Sequence, residues 1–305
     1  MLQALPYFKA LADETRLRLV RIMMDHELNV NELVAILAMG QSRVSRHLKI
    51  LADTGLLSSR RDGLRVFYSV APEGPGRLVL DSLRPLLSNE PVFDLDAARA
   101  EEIIAERARA TRRFFEDIAG DWDRLKQKVL AGFDLSALVA ERMPPGRVFT
   151  DLGCGTGDLL AALLEKAGEV IGVDSSSRML DLARRRFASD GKTVSLRIGE
   201  LEHLPLRDGE ADLAVASMTL HHLSRPFRGI EEAHRVLSPG GRFLILDFEK
   251  HTNEAMRSEY GDQWLGFSEE ELLNWLVRAG FDIEENSLFP VGAGLTIRMV
   301  SGVKK

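Results

Sequence analysis

The chain has very little cysteine. One residue of 305, Cys154, carries a thiol, so no internal disulfide can form and a reducing compartment suits the protein. No apolar run approaches the roughly 18 residues that span a bilayer. The opening stretch MLQALPYFKALADETRLRLV carries acidic residues and lacks the plan of a signal peptide. A cytoplasmic protein without a membrane partner is therefore expected. The 7 histidines are scattered without metal-ligand spacing, so no metal is expected either. Internal repeats and low-complexity tracts are also absent.

What is present is length and patterning. At 305 residues the chain is about twice the usual domain size, and 45% hydrophobic content suffices for ordinary cores. The formal charge is -6, yet residues 1–70 carry ten Lys and Arg against seven Asp and Glu. Six basic residues (Arg43, Arg46, Lys49, Arg60, Arg61, Arg65) face only Asp53 and Asp62 over 41–65. A basic patch in an acidic chain implies a localised anionic partner.

Helical spacing of Leu17, Val20 and Met24, then of Leu33, Ile36 and Leu37, predicts short helices. LSSRRDGLRVFYSV predicts a hairpin turning at Asp62-Gly63. Pro85 must kink or end the helix RLVLDSLRPLL, and 94–131 reads as connecting helices. From Arg147 strands and helices alternate, which means βαβ units and a mostly parallel sheet. The helix over 157–168, another over 177–191 and a helix with a Pro-Gly stop at 239–240 are part of that reading.

On a helix over 41–52, Val44, Leu48 and Leu51 form a buried stripe. Ser42, Ser45, Arg46 and Lys49 form the opposite, polar face. Such a helix fits the major groove of duplex DNA, where Arg46 can donate two hydrogen bonds to a guanine edge. A bracing helix near 29–38 completes helix-turn-helix logic, and Arg60, Arg61 and Arg65 on the hairpin suit phosphates or a minor groove. The segments LADETRLRLVRIM and ELNVNELVAILAMGQSRVSRHLKILADTGLLSSRRDGLRVFYSV resemble the ArsR family of winged-helix repressors. The resemblance implies a homodimer on an inverted-repeat operator in double-stranded DNA, contacted through Gln41, Ser42, Arg43, Ser45, Arg46, His47 and Lys49 with the hairpin arginines. It departs at the metal site: Asn29 and Asn31 stand where metal-sensing members carry Cys-x-Cys, and amides are poor ligands for thiophilic ions.

VFTDLGCGTGDLL, at 148–160, is a strand, a glycine turn and a helix. Gly153, Gly155 and Gly157 permit a tight turn and a close ligand. Asp174 ends the next strand, where a carboxylate accepts from a ribose diol. Position 158 is Asp, so the spacing is not that of a dinucleotide fingerprint, and Asp151 suits a ligand bearing an ammonium group. The motifs DLGCGTG, VIGVDSSSRML, IGELEHLPL, ADLAVASMTLHHL and EEAHRVLSPGGRFLILDF resemble class I S-adenosylmethionine-dependent methyltransferases of the ubiquinone/menaquinone-biosynthesis type. By that resemblance Asp151, Gly153, Cys154, Gly155 and Gly157 cradle the methionine part of S-adenosylmethionine or S-adenosylhomocysteine. Asp174 would hold the ribose, with Ser175 and Met179 beside the adenosine, Glu200 and Leu201 at the adenine, and Ser217 near the sulfonium. FFEDIAGDWDRL (Phe114, Phe115, Trp122) resembles the lid of such enzymes. Either His221 or His222 can be a general base or merely a pocket wall. Tyr260, Trp264 and Phe267 can line an acceptor site or sit in the core. One cysteine argues against arsenic methylation.

The expected fold is an α+β winged helix-turn-helix followed by an α/β Rossmann-like class I methyltransferase fold with a seven-stranded sheet. The expected divisions are a DNA-binding and dimerisation domain at 1–90, a helical linker and lid at 91–131, and the methyltransferase-like domain at 132–305. Three functions compete: a regulator sensing an adenosyl ligand, an active methyltransferase on a small-molecule acceptor with an attached DNA-binding domain, and an enzyme using the winged helix only to dimerise. The regulator is preferred, because the fused domain replaces the missing metal sensor.

Overall fold

A computed structural model describes residues 4–87, 90–188 and 194–305. The chain divides into two compact units, Met1–Arg107 and Ala108–Lys305.

In the amino-terminal unit, helices α1 (Leu5–Leu11) and α2 (Glu14–Met23) precede strand β1 (Leu28–Asn29), helix α3 (Val30–Leu37) and helix α4 (Gln41–Asp53). Strands β2 (Leu57–Asp62) and β3 (Arg65–Val70) form the hairpin, and helix α5 (Gly74–Leu83) follows. The sheet runs β1-β3-β2, all antiparallel. Each helix has a local reason to start where it does. The Asp13 carboxylate accepts from the Arg16 amide to cap α2. Asn29 and Glu32 form a reciprocal capping box on α3, which gives Asn29 a structural use at the position where metal-sensing members carry a sulfur ligand. Val44, Leu48 and Leu51 are fully buried, as the stripe requires. The hairpin differs from expectation. Asp62 pairs with Arg65 inside the ladder and is buried, so the turn is Gly63-Leu64, with Gly63 at φ 59°. A two-residue loop needs its positive φ inside the turn, and Gly63 supplies it. Pro85 ends α5 in a short 3-10 turn, Arg84–Leu87.

One helix, α6, then runs unbroken over Pro91–Ile118 and contributes residues to both units. Its first half is docked on the winged helix. Arg18 grips the fully buried Asp96 with two bonds of 2.7 and 2.8 Å, Arg99 donates to the Ile36 carbonyl at 3.0 Å, and Arg107 pairs with Glu32. Phe93, Ala100 and Ile104 are buried beneath it. Large apolar side chains contribute about 1.5–3 kcal/mol each when fully buried.

The second unit contains helices α7 (Trp122–Leu130) and α8 (Leu135–Arg142), then strand β4 (Gly146–Leu152), helix α9 (Asp158–Leu163), strand β5 (Ala167–Asp174), helix α10 (Ser177–Phe187), and strands β6 (Val194–Ile198) and β7 (Ala211–Ser217). Helix α11 (Pro226–Val236), strand β8 (Leu237–Phe248), helices α12 (Ala255–Tyr260) and α13 (Glu269–Ala279), and strands β9 (Phe281–Pro290) and β10 (Thr296–Lys304) complete it. The sheet has seven strands in the order β6-β5-β4-β7-β8-β10-β9. β10 is antiparallel to both neighbours, and the remaining pairings are parallel. The strand order reverses at β4, so the carboxyl ends of β4, β5 and β7 open a crevice.

Three boundaries differ from expectation. Helix α9 stops at Leu163, because Ala167 already pairs with Gly146. Strand β8 begins at Leu237, ahead of the Pro-Gly-Gly segment, because Leu237 pairs with Ala211 and pairing resumes at Arg242 with Leu213 after a bulge. Helix α10 ends at Phe187, and the rest of the predicted 177–191 helix includes positions outside the described residues.

Candidate functional site

On the amino-terminal unit, Gln41, Ser42, Arg43, Ser45, Arg46 and Lys49 are all exposed along α4. Neither the Arg43 nor the Arg46 side chain is in a hydrogen bond or ion pair among the described residues. Lys49 makes an exposed i,i+4 pair with Asp53 at 2.9 Å, which water screens and a phosphate can displace. On the hairpin, Arg61 and Arg65 are exposed, and Arg61 donates to the Gly63 carbonyl at 3.1 Å. Two predicted contacts point elsewhere. Arg60 pairs with Glu27 through bonds of 3.0 and 3.3 Å, with its guanidinium 5.9 Å from the Phe67 ring. The Arg107 guanidinium is 5.5 Å from that same ring, so Arg60 belongs to an internal cation–aromatic stack. His47 lies 3.7 Å from Asp13 with little exposure, and burial pushes its pKa down, Asp13 opposing.

In the second unit, a cleft opens at the carboxyl ends of β4, β5 and β7. Every residue proposed from sequence for the cofactor except Gly157 lines it: Asp151, Gly153, Cys154, Gly155, Asp174, Ser175, Met179, Glu200, Leu201 and Ser217. Gly157 turns the chain into α9 at φ 86°. Gly153 is required: at φ 81°, a Cβ there would lie 2.4 Å from the Thr219 methyl. The turn amides are already committed. Gly153 and Cys154 donate to the Val173 carbonyl, Gly157 to the Cys154 carbonyl, and Gly155 to Asp174 at 2.9 Å. These four amides are therefore not free to form an anion nest.

The acids are arranged for a cationic, hydroxyl-bearing ligand. Asp174 accepts one backbone N–H on each oxygen, from Gly155 and from Ser176 at 2.8 Å. Each oxygen keeps a lone pair, enough for a vicinal diol. Burial raises its pKa, the backbone donors opposing. Asp151 is 3% exposed, and burial lifts its carboxyl to about 7, with Lys126 pulling the other way and Asp174 adding to the rise. A ligand ammonium beside it would favour the ionised form. Cys154 is buried, and burial raises its thiol pKa well above the usual range, so it is a packing group rather than a nucleophile.

The lid residues and several others were not legible by spacing. Ala108, Thr111, Arg112 and Phe115 of α6, and Trp122 and Lys126 of α7, line the cleft from above. Helix α7 is latched to the glycine turn. Thr156 donates to Asp123 at 2.6 Å, Lys126 reaches Asp158 at 3.2 Å, and Arg186 bridges Asp123 and Asp158. Arg112 pairs with Glu200 across the cleft. Glu202 accepts from the Ser224 and Arg225 amides, and burial raises its pKa. Met218, at φ 55°, holds a left-handed backbone that a non-glycine residue rarely adopts. The lid aromatics were legible by resemblance, but Arg112, Lys126, Glu202 and Met218 carry no sequence signal.

Beneath Trp122 lies a second, small and largely apolar compartment. Both histidines reach it. His221 Nδ1 lies 2.6 Å from Asp247, and its Nε2 lies 3.6 Å from Asp262. Burial pulls the His221 pKa down, but Asp247 and Asp262 outweigh it and raise the group to about 8. His222 is pushed well below the usual imidazole range by burial and by His221. His221, His222 and Asp262 bring ligand-type atoms within 4.8 Å of one another. Their hydrogen-bond directions describe a charge pair (His221 with two carboxylates) and a carbonyl contact (His222 with Gly261 at 3.3 Å). Tyr260 lines the compartment, whereas Trp264 and Phe267 are core residues at 1% and 0% exposure.

A winged helix and a seven-stranded sheet with a glycine-turn cleft define the class: a class I methyltransferase domain carried behind a helix-turn-helix domain. Residues 13–59 match the profile of the bacterial regulatory protein, arsR family, and residues 150–245 match that of a methyltransferase domain. A demethylmenaquinone methyltransferase of Symbiobacterium thermophilum is 32% identical over 185 residues, spanning 57% of this chain and 73% of that protein. An uncharacterized protein in a transposon of Streptomyces fradiae is 43% identical over 104 residues, 33% of this chain but only 30% of its own length. A solved methyltransferase structure from Thermotoga maritima superimposes with a TM-score of 0.51 at 26% identity, covering 64% of this chain and all of that one. The chain belongs to the class I methyltransferase family of the ubiquinone/menaquinone type, with an ArsR-type domain ahead of it.

Proposed function

We propose that the protein is a transcription regulator, acting as a repressor, whose methyltransferase-type domain takes S-adenosylmethionine or S-adenosylhomocysteine as its effector. The carrying observation is that both halves of such a device are whole in one chain. Arg43 and Arg46 stand exposed on α4 with no internal partner, and the cleft presents Asp151, Asp174 and a glycine turn with committed amides. The cleft fits an adenosyl amino acid. The Asp174 oxygens suit a ribose diol, and the buried Asp151 suits the ammonium of the methionine part.

In this reading Gln41, Ser42, Arg43, Ser45, Arg46 and Lys49 meet double-stranded DNA, with Arg61 and Arg65 on the flanking phosphates. A homodimer meets an inverted repeat. Leu5, Phe8, Leu78 and Leu86, on α1, α5 and the turn after it, are exposed large apolar side chains that a second copy can cover. The cytoplasm is the expected location. Coupling follows from differential affinity alone. α6, which supplies Asp96 and Arg107 to one unit and Thr111, Arg112 and Phe115 to the other, is the element that would carry it. The test is to titrate each ligand into a complex of the full-length protein with an operator selected from random DNA. A change of about 5–150-fold in DNA affinity is expected for at least one ligand. Unchanged affinity in both titrations rejects the reading.

Active methyl transfer to a small acceptor is the second reading, and one observation favours it: the compartment beneath Trp122 adjoins the cleft through Trp122, Lys126, Met218 and His222.

A further inference from the structure

The cleft is spanned by an ion pair that stands where a ligand base would lie. Arg112 of α6 pairs with Glu200 from the opposite side, and both line the cleft. The order of the strands fixes what Glu200 faces. Asp174 ends β5 and lies in register with Ile198 at the end of β6, and the Gly199 amide donates to the Asp174 carbonyl at 3.0 Å. Glu200 therefore stands one strand further from the glycine turn than the acid suited to the ribose. A ligand with its amino-acid part at the turn and its ribose on Asp174 sends its base toward Glu200. The Arg112 guanidinium crosses the space in front of that carboxylate.

The pair is built to be exchanged. It is made through one nitrogen, Nη2, and the two side chains are 39% and 42% exposed. Ion pairs so exposed stabilise little. Nε of the same guanidinium is buried with no hydrogen-bond partner among the described residues. A buried donor left unmade is costly, so Arg112 regains hydration when it leaves. An amino group on a ligand base donates to the same carboxylate and brings no charge to desolvate. The helix behind Arg112 has no hinge: α6 runs from Pro91 to Ile118 without a glycine or a second proline. Sharp kinks form at such residues, so α6 moves as a rod. Arg107, which pairs with Glu32, lies on that rod about 7.5 Å back along the axis at 1.5 Å per residue.

We infer that Arg112 is a strap which the ligand base displaces from Glu200: a purine bearing an exocyclic amino group takes the carboxylate, Arg112 swings out to water, and the carboxyl half of α6 is released. The inference rests on the regulator reading above, in which α6 carries the coupling, and it names the contact that the ligand breaks. Ligand binding and strap closure are then mutually exclusive at one carboxylate. That exclusion supplies the differential affinity for two states that any such coupling requires. The base, rather than the sulfur end of the ligand, is the trigger.

The experiment has two readouts on the full-length protein: S-adenosylhomocysteine binding by calorimetry, and operator affinity with and without that ligand. Arg112→Gln removes the strap at an exposed position. It should bind the ligand about two- to fivefold tighter than the wild type. Its operator affinity without ligand should equal that of the ligand-saturated wild type. Arg112→Lys keeps a cation for Glu200 and should restore wild-type behaviour in both. The purine analogue of the ligand, with hydrogen in place of the exocyclic amino group, should bind the wild type at least about tenfold more weakly. Weaker ligand binding by Arg112→Gln overturns the inference, because Arg112 would then hold the ligand rather than exclude it. An Arg112→Gln protein that matches the unliganded wild type in either readout also overturns it, leaving an idle surface pair. Equal affinity for the purine analogue removes Glu200 as the acceptor of the base, and the exchange with it. Binding to the wild type without a change in operator affinity overturns the regulator reading and the release of α6. Failure of S-adenosylhomocysteine to bind the wild type overturns the cleft reading, and the strap falls with it.

Discussion

The two units place their chemistry in opposite ways. In the amino-terminal unit the interesting side chains stand in water on one helix face, and the core merely holds that face flat. In the second unit they lie inside, each fixed by hydrogen bonds to backbone amides or to another side chain. Asp174 is held by Gly155 and Ser176, Asp247 by Phe248, and Thr156 by Asp123. A surface that reads a long polyanion gains from exposed charge. A crevice that selects one small molecule gains from fixed, half-desolvated groups.

That contrast can be broken at either end. The largest effect is expected from Asp174→Ala. Losing two charge-assisted hydrogen bonds to a diol should weaken the adenosyl ligand by about 3 kcal/mol, roughly 100-fold, by calorimetry. DNA affinity without ligand should stay put, and an unchanged ligand affinity would remove the basis for the cleft reading. Arg46→Ala should cost about 2 kcal/mol of specific DNA binding in a gel-shift or anisotropy assay, with the cleft unaffected. Equal losses at specific and random sequences would demote Arg46 to a phosphate contact.

A pH experiment probes the buried side alone. His221 rises to about 8 from an ordinary 6.5, so its folded form binds the proton more tightly than the unfolded chain. The stabilisation is complete below pH 6.5 and is lost as pH climbs through 8, to the extent of about 2 kcal/mol. Urea midpoints of the wild type should fall between pH 6 and 9, and His221→Gln should flatten that slope. The smallest effect belongs to the outer unit. Asn29→Ala removes half of the capping box on α3 and should destabilise by about 1 kcal/mol in urea unfolding. A much larger loss would mean that Asn29 does more than cap.

The same contrast explains what could be read from sequence. Val44, Leu48 and Leu51 repeat at helical spacing, so α4 and its exposed face were visible directly. Gly153, Gly155 and Gly157 were visible because a turn between strand and helix compresses them into one stretch, and Asp174 because it ends the very next strand. Arg112, Lys126 and Glu202 come from three distant segments, and only the closed fold brings them together. Arg60 misled for a related reason. Charge in a hairpin says nothing of where the side chain bends, and Glu27 and Phe67 turn it inward. The Pro-Gly-Gly segment suggested a helix stop, but pairing of Leu237 with Ala211 made it a bulge within β8.

The glycine turn keeps its own amides occupied, and the crevice around it is ringed by Asp151, Asp174, Glu200 and Glu202. A molecule such as ATP, arriving with several negative charges, would meet four carboxylates against the two cations of the lining, Arg112 and Lys126. A cell crowded with energy-carrying nucleotides is therefore a quiet background for this protein, against which a scarce, positively charged nucleoside can still be heard.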